Sequence, residues 1–482
     1  MSTYKHGMDT TESEIESVAP QNGSAGFQVI VGTAPINLAE DPDAVVNTPV
    51  IVYGKTEAQK KMGYSKDFRK FSICQSISAN GDLFNIVPYV LINVLDPAKH
   101  KKDYTSANIA IAAKVAHIAE QGIMMSSLKL TDQAGTALTA DTDYIAAFDD
   151  NGEVDITMLS TSKATAATGL KATATQLDPS KVTEDDIIGG YDVTTGKETG
   201  WELVRQVYPK FGMTPGLLVC PEWSKKSMVA AVMASKCEAL NGVLTCECVI
   251  DMDTTTAKEY SGLKEKKEAM GVADPHQILL WPMVKKGDTI YSYSAVWAAM
   301  AAYTDVSKNG DVPCKSPSNE LLKIDAAVLE DGTEVLLDSN QAALVNSFGI
   351  VTAINDNGWR SWGNETAAWP AITRNKDHWI NCRRMMSWYR NHIILTYKSK
   401  VDDNADPVLI QSITDSENQY LNSLASAKKI AGGSIVFNEE ETSLVGGEVI
   451  FDTDVAFWTP AQHIVDRIRF NPSILTAALG GE

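Results

Sequence analysis

Positive charge is scarce in this chain of 482 residues. Lysine and arginine together number 42, against 61 aspartates and glutamates, so the formal net charge is −19 at pH 7. A protein that binds nucleic acid through its overall charge needs the opposite sign. The composition therefore argues against a nucleic-acid partner and favours solubility, or a partner that is basic where the two surfaces touch.

The sequence also lacks a disulfide framework and long apolar runs. Its seven cysteines are odd in number and several lie in apolar runs, as Cys220 does after Leu217. This predicts reduced, mostly buried thiols in a protein made in the cytoplasm. The polar N-terminal stretch has no apolar core of a signal peptide, and no uncharged apolar run reaches 18 residues. We expect no membrane insertion.

Catalytic signatures are missing as well. The seven histidines are scattered and none has zinc-ligand spacing, and neither a phosphate-binding glycine loop nor a GxSxG elbow occurs. Cys246 and Cys248 share a strand face, but without a second pair we assign them to the core. Glu439 to Glu441 are read as a solvated loop. We predict no enzyme activity, no catalytic residue, no cofactor and no metal site.

Length and patterning predict several domains of α/β (α+β) class. Strand and helix periods alternate in most of the chain, whereas the middle of its first half shows short alternating strands separated by turns. We expect an α/β core assembled from N- and C-terminal parts, an all-β sandwich-like insert and extended terminal arms. The predicted divisions are an N-terminal arm 1–26, core part 27–99, insert 100–190, middle domain 191–340, C-terminal core 341–464 and C-terminal arm 465–482.

The two predicted arms have strand character but no neighbouring strand in the sequence. Ile15 and Val18 belong to an alternating stretch near the N-terminus, and Ile468 and Phe470 alternate with arginines near the C-terminus. An extended segment without a local partner often pairs with the sheet of another chain. We predict that both arms make contacts between subunits.

A tryptophan-rich stretch, Phe348 to Thr366, admits three interpretations: a ligand cleft with tryptophan platforms, a catalytic turn, or a rigid corner of a structural protein. An apolar run leads into Asn355–Gly358, which is typical of a turn. Paired tryptophans stack on sugars in some proteins but also pack corners. We favour the corner, formed by Gly358, Trp359, Trp362, Gly363, Asn364 and Thr366.

The segment 374–400 is basic although the chain is acidic. It has two interpretations, a solvated helix face or a docking helix for an acidic partner. We predict a helix over Asp377–Tyr389 and a strand over Ile393–Tyr397. For the docking interpretation, the residues expected to contact the partner are Arg383, Arg384 and Arg390.

Several motifs together resemble those of contractile tail sheath proteins of phages and R-type bacteriocins. The match extends over nearly the whole chain, and its most specific part is the GIVT…NG…WGNxT stretch. Glu365 stands there where that family often has a basic residue. The other motifs are Phe27–Asn37, Val87–Asp96, Ser316–Asn319, Leu421–Leu424 and Gly446–Phe451.

The resemblance implies a structural function. Sheath subunits form hexameric rings in a helical stack around a tail tube, and they contract to drive the tube through an envelope. It implies outward-facing inserts and arms that add strands to neighbouring subunits. It also implies self-assembly, with the tail tube, baseplate and tail terminator proteins as partners, in a virion tail or phage-tail-like particle made in the bacterial host cytoplasm. If the basic segment is a docking helix, we expect Arg383, Arg384 and Arg390 to face the tail tube.

Other functions remain open from the sequence. A secretion-system-type sheath subunit is the nearest alternative, although such sheaths usually use two chains. A surface-layer or capsid lattice protein would assemble into sheets or shells instead of tubes. A carbohydrate-active α/β enzyme would need convergent acid and base groups, which do not stand out in this sequence.

Overall fold

The computed structural model describes residue 21 and residues 23–478, so the predicted arm residues Ile15 and Val18 lie outside the described residues. The first part of the chain forms strands and helices that alternate as the patterning predicts. They are β1 Gln28–Gly32, β2 Val50–Val52, α1 Lys55–Met62, α2 Ile73–Ser78 and β3 Tyr89–Asn93, with a 3-10 turn at Ile36–Leu38 and a π-helical turn at Ala79–Phe84.

The insert consists of strands, as predicted from its alternation. They are β4 Lys101–Ala112, β5 Val115–Ile118, β6 Lys129–Asp132, β7 Ala137–Leu138, β8 Tyr144–Phe148, β9 Val154–Met158 and β10 Gly169–Leu177, with a 3-10 turn at Met125–Ser127. The antiparallel order is β7-β6-β10-β4-β5-β9-β8, and the long β4 joins the two halves. Their inner faces share one apolar cluster that includes Ile118, Leu130, Ile156 and Leu170.

Helices and strands alternate again after the insert. The elements are α3 Glu184–Ile188, β11 Gly190–Asp192, β12 Lys197–Thr199, α4 Val207–Phe211, β13 Leu217–Val219, α5 Ser227–Glu238, β14 Glu247–Asp251, α6 Leu263–Met270, β15 Gln277–Leu280, β16 Met283–Lys286, β17 Thr289–Tyr291 and α7 Tyr293–Asn309, with 3-10 turns at Pro179–Lys181, Gly200–Gln206 and Tyr260–Gly262.

The last third contains the longest helices. Its elements are β18 Ala326–Val328, α8 Ser339–Ser347, β19 Thr352–Asn355, β20 Trp359–Trp362, α9 Asn375–His378, α10 Ile380–Tyr397, α11 Pro407–Ser426, β21 Gly432–Phe437, β22 Phe451–Ala456 and α12 Pro472–Ala478, with 3-10 turns at Lys398–Lys400 and Leu444–Gly446.

One central sheet unites segments on both sides of the insert. Its order is β15-β14-β13-β1-β3-β2, and all neighbours are parallel except β2 and β3. Strand β1 is apolar and buried along its length, as expected for a parallel sheet covered on both faces. The predicted division into a core part 27–99 and a middle domain 191–340 thus separates strands that pair directly. The α/β fold with a β insert is confirmed.

The predicted strand Ile393–Tyr397 is wrong, because these residues form the last turns of α10. Its apolar residues suggest a strand when viewed locally. The buried positions Met385, Trp388, Tyr389, His392 and Thr396, however, recur at helical spacing and place one face of α10 in the interior. The predicted strand around Ile468 is also absent, and residues 457–471 have no regular secondary structure.

The seven cysteines are free, and all are buried except the half-buried Cys314. Cys246 and Cys248 lie in the apolar core of the central sheet. The Cys246 thiol lies 3.6 Å from that of Cys237. Burial raises the pKa of both of these thiols, so they are packing groups of low reactivity.

Asp251 is a buried carboxylate at the carboxyl end of β14. Its Oδ1 accepts a hydrogen bond from the backbone N–H of Ser294 at 2.8 Å, and its Oδ2 accepts one from the Ser224 hydroxyl at 3.0 Å. It thereby caps the first turn of α7. Burial raises the pKa of Asp251 to about 6, above its ordinary value of 3.8.

A raised carboxyl pKa makes stability fall as pH rises through the folded-state value. We expect the free energy of unfolding of the wild type, relative to Asp251→Asn, to decrease between about pH 4 and pH 7. A shift of roughly two pH units corresponds to a change of about 3 kcal/mol. Denaturant unfolding of both proteins across this range measures it. A difference that does not vary with pH would contradict the assignment.

Candidate assembly surfaces

The tryptophan-rich stretch forms a hairpin in which β19 pairs antiparallel with β20. Asn357 and Gly358 both have positive φ values, +50° and +108°, as a tight turn between these strands requires. Trp359 is only 6% exposed, and its indole N–H donates to the Asp325 carbonyl at 2.8 Å. Trp362 is half-buried and lines a cleft beside the C-terminal segment. The two tryptophans therefore do not form a pair of exposed platforms.

The residues after β20 pack tightly and form hydrogen bonds that fix the position of the hairpin. Gly363 has a φ of +144°, and a Cβ there would lie 2.9 Å from Asn346 Nδ2, so a side chain is excluded. The Asn364 Oδ1 accepts from the Ser316 hydroxyl at 2.6 Å. The Thr366 hydroxyl donates to the Asp377 carbonyl at 2.8 Å. These contacts join the hairpin to the start of the basic segment.

Glu365 has a position that sequence patterning did not identify. It is buried, and its Oε1 accepts a hydrogen bond from Gln462 Nε2 at 2.7 Å. Burial raises the pKa of this carboxyl group. Glu365 thus bonds the C-terminal segment at Gln462, near the start of its exposed stretch. In the sequence, Glu365 is distinguished only by standing where the resembling family often has a basic residue.

The prediction that Arg383 and Arg384 face outward is wrong. The Arg384 guanidinium is completely buried and forms an ion pair with Asp305 on α7, at 2.5 Å between Nη2 and Oδ2. Arg383 is buried against Asp377, with Nη1 3.3 Å from Oδ1, and lies near Glu247. Both charges are neutralised inside the fold because an unpaired buried charge is very costly. Among the three predicted arginines only Arg390 is exposed.

Helix α10 forms hydrogen bonds with the described residues that precede β1. Arg384 Nη2 donates to the Ala25 carbonyl at 3.1 Å, and the Gln21 N–H donates to the Thr396 hydroxyl at 2.9 Å. These contacts span most of the helix. Nearby, the Ser24 hydroxyl donates to Asp311 at 3.0 Å. Gln21 and Ala25 therefore lie against opposite ends of α10.

The same helix holds the start of the C-terminal segment, residues 457–478. Asn381 Nδ2, in the first turn of α10, donates to the Trp458 carbonyl at 2.8 Å. After the contact between Gln462 and Glu365 the segment extends away from the body. Ile468 and Phe470 are 90% and 84% exposed, and Ile464 is also largely exposed. Several large apolar side chains exposed in one segment form the kind of surface that interaction sites use.

A hairpin of β21 and β22 lies on α11. Asn418 of α11 fixes it, because its side chain accepts from the N–H of Ile435 and donates to the carbonyl of the same residue. Among residues 23–478, β21 and β22 pair with no other strand. Asn418 occupies the middle of the outer edge of β21, whereas the outer edge of β22 has no strand partner there. Such edges are templates for a strand from another chain. Hence the described structure contains both an open edge and an exposed extended segment.

Replacing Trp359 by Ala is expected to lower the free energy of unfolding by about 3–5 kcal/mol, because the change leaves a cavity and an unpaired Asp325 carbonyl. Trp362→Ala is the matched control and should cost less, since Trp362 is only half-buried. Denaturant unfolding measures both. A Trp359 variant with unchanged stability that lost binding to a polysaccharide would instead favour the platform interpretation.

Arg384→Met should destabilise the protein by about 3–5 kcal/mol, because it leaves the Asp305 carboxylate buried without a partner. The double variant Arg384→Met/Asp305→Leu removes both charges and should recover most of this loss. Arg390→Ala is the control, and its effect should stay within about 0.5 kcal/mol, as for other exposed positions. Equal effects of the Arg384 and Arg390 variants on unfolding would contradict the buried ion pair.

Within the described part of the chain, no helix has the length and apolar character needed to cross a membrane. No protein-family model matches the sequence. The chain is 25% identical to the tail sheath protein of Burkholderia phage BcepMu, over 99% of each chain. It is 24% identical to a putative prophage major tail sheath protein of Pseudomonas aeruginosa strain UCBPP-PA14, over 61% of this chain and 74% of that protein.

Solved structures show the same fold. The sheath complex of the extracellular contractile injection system PVC in its contracted state matches 98% of this chain and 100% of that chain, with a TM-score of 0.56 and 13% identity. The contracted helical sheath of the anti-feeding prophage matches with a TM-score of 0.55, 13% identity and the same coverage. Over its full length the chain is thus similar in sequence to tail sheath proteins of phages, and it has the fold of contractile injection system sheaths.

Proposed function

We propose that this protein is a structural subunit of a contractile tail sheath, in a virion tail or a phage-tail-like particle. The similarity to a phage tail sheath protein extends over 99% of both chains. The fold similarity to two injection-system sheaths covers 98% of this chain. Similarity over the complete length supports a shared architecture, including the regions from which subunit contacts arise.

In the proposed assembly, copies form hexameric rings that stack helically around a tail tube. Contraction of the stack drives the tube through the envelope of the target cell. The partners are further copies of the chain, the tail tube protein, and the baseplate and tail terminator proteins. Among the predicted tube-facing arginines, Arg390 alone has an exposed side chain, so the proposed contact with the tube is reduced to this residue.

The observation that carries the proposal is the C-terminal segment, which leaves the body with its apolar side chains in solvent. Ile468 and Phe470 alternate with Arg467 and Arg469 in an exposed stretch without regular secondary structure. An extended peptide can add to a sheet edge through main-chain hydrogen bonds, and its alternate side chains then face the new surface. We propose that the segment of one copy adds to the open hairpin β21–β22 of another.

Such a connection suits a lattice that changes shape. Main-chain pairing holds the copies together, while the extended stretch between residue 462 and the pairing site can change direction. The folded bodies then move as rigid units. In the proposed assembly the hinge lies beside α10, where Asn381 and Glu365 bond the start of the C-terminal segment.

The test is electron microscopy of the concentrated protein, alone and with tail tube protein, for the wild type and for Ile468→Asp/Phe470→Asp. The wild type should form hollow cylinders with sixfold end views. The double variant should remain dispersed with unchanged thermal stability, because its substitutions lie outside the folded body. Val193→Asp, at an exposed turn between β11 and β12, is the matched control and should assemble normally.

The outcomes separate the two parts of the proposal. Cylinders from the double variant that match those of the wild type would rule out the C-terminal segment as a connector. Flat sheets or closed shells from the wild type would rule out the sheath function itself and would indicate a different kind of lattice protein.

A further inference from the structure

Three side chains that can ligate a metal ion meet on the surface of the insert. His117 lies on β5, whereas Asp149 and Glu153 flank the turn between β8 and β9. One ligand atom from each lies within 4.8 Å of those from the other two. They come from one strand and from the turn that joins two others, so the fold brings them together and not their spacing in sequence. This is why the search for histidine motifs did not find them.

The imidazole of His117 has a carboxylate on each side. Its Nε2 lies 2.9 Å from Glu153 Oε2, and its Nδ1 lies 2.8 Å from Asp155 Oδ1. His117 and Asp155 are directly opposite each other on paired strands. A metal-bound histidine almost always donates its second ring N–H to a carboxylate, which fixes the tautomer and the ring orientation. Asp155 is placed to accept that bond and leaves Nε2 for an ion.

The turn holds the Asp149 carboxylate in position before any ion binds. Its Oδ1 accepts hydrogen bonds from the N–H groups of Asn151 at 2.9 Å and Glu153 at 2.8 Å. Gly152 closes the turn with a φ of +77°. The nearest contact to Asp149 Oδ2 is the Asn151 amide at 3.4 Å. This oxygen therefore has capacity to bind a cation at little cost in reorganisation.

We propose that the insert binds one Zn²⁺ through His117 Nε2, a Glu153 carboxylate oxygen and Asp149 Oδ2, with water at the remaining position. A set of one imidazole and two carboxylates suits zinc, which takes nitrogen and oxygen ligands in tetrahedral sites. The hard ions Ca²⁺ and Mg²⁺ prefer oxygen ligands alone, so the imidazole disfavours them. Any proton on Nε2 passes to solvent as the ion binds.

The position of this site gives the ion a structural effect. The turn that contains Asp149 and Glu153 lies against the core, because a Cβ on Gly152 would be 3.2 Å from Leu38 Cδ1. Glu153 also lines a cleft between the insert and the core. Bound zinc would link β5 to this turn and so restrict motion of the insert at its contact with the core. The inference does not depend on the sheath function.

The test uses the full-length protein, freed of metal with a chelator, and isothermal titration calorimetry with ZnCl₂. The wild type should bind one Zn²⁺ per chain. His117→Ala and Glu153→Gln should each abolish this binding, since each removes a ligand. Asp155→Asn retains all three ligands and should weaken the affinity by about tenfold to a hundredfold. His463→Ala removes an exposed histidine elsewhere and should bind as the wild type does.

Titration with Co²⁺ gives a second readout that separates this site from the cysteines. Visible absorption bands that disappear in the His117 variant, without a thiolate charge-transfer band in the near ultraviolet, support the proposed ligands. Three results would overturn the proposal: no zinc binding by the wild type, equal binding by the wild type and His117→Ala, or a thiolate band that persists in the variant. Circular dichroism checks that each variant is folded.

Discussion

The buried pair of Arg384 and Asp305 is the constraint on which the arrangement of the chain ends depends. Both side chains are completely removed from solvent, and Arg384 also donates to the Ala25 carbonyl. A buried guanidinium is tolerated only when its partners are close and well oriented. The pair therefore fixes α10 against α7 and fixes the chain that precedes β1 against both. The C-terminal segment starts from the first turn of this same helix, so one element sets both points of departure.

The central sheet explains how a β insert fits inside an α/β core. Strand β1 pairs with β3 before the insert and with β13 after it, so the core closes around both segments. The chain enters and leaves the insert at one place, where the Asp178 N–H donates to the His100 carbonyl at 2.8 Å. Because the two chain crossings lie side by side, the insert forms an apolar cluster separate from that of the core. Changes in the insert can then occur without disturbing the sheet.

Sequence reasoning succeeded where the pattern is local. Short alternating stretches predicted the all-β insert, and the succession of strand and helix periods predicted the α/β core, because burial on one face gives a regular spacing of apolar residues. It failed for Arg384 because its acidic partner, Asp305, is distant in the chain. For Arg383 the nearby Asp377 was visible in the sequence, but the second carboxylate beside it, Glu247, was not. It failed for Ile393–Tyr397 because a short apolar run does not by itself distinguish a strand from a helix end. The cluster at His117 was invisible for the same reason as the ion pairs.

Net charge limits how identical copies of this chain can associate. Each copy carries a formal charge of −19, so the copies repel one another at long range. Attraction must therefore come from short-range terms, which are apolar burial and main-chain pairing. The described structure offers both at its periphery, in the exposed Ile468 and Phe470 and in the outer edge of β22. Contacts of this kind act only after precise alignment, and repulsion opposes looser associations. An acidic body with apolar extended segments thus favours an ordered lattice over nonspecific aggregation.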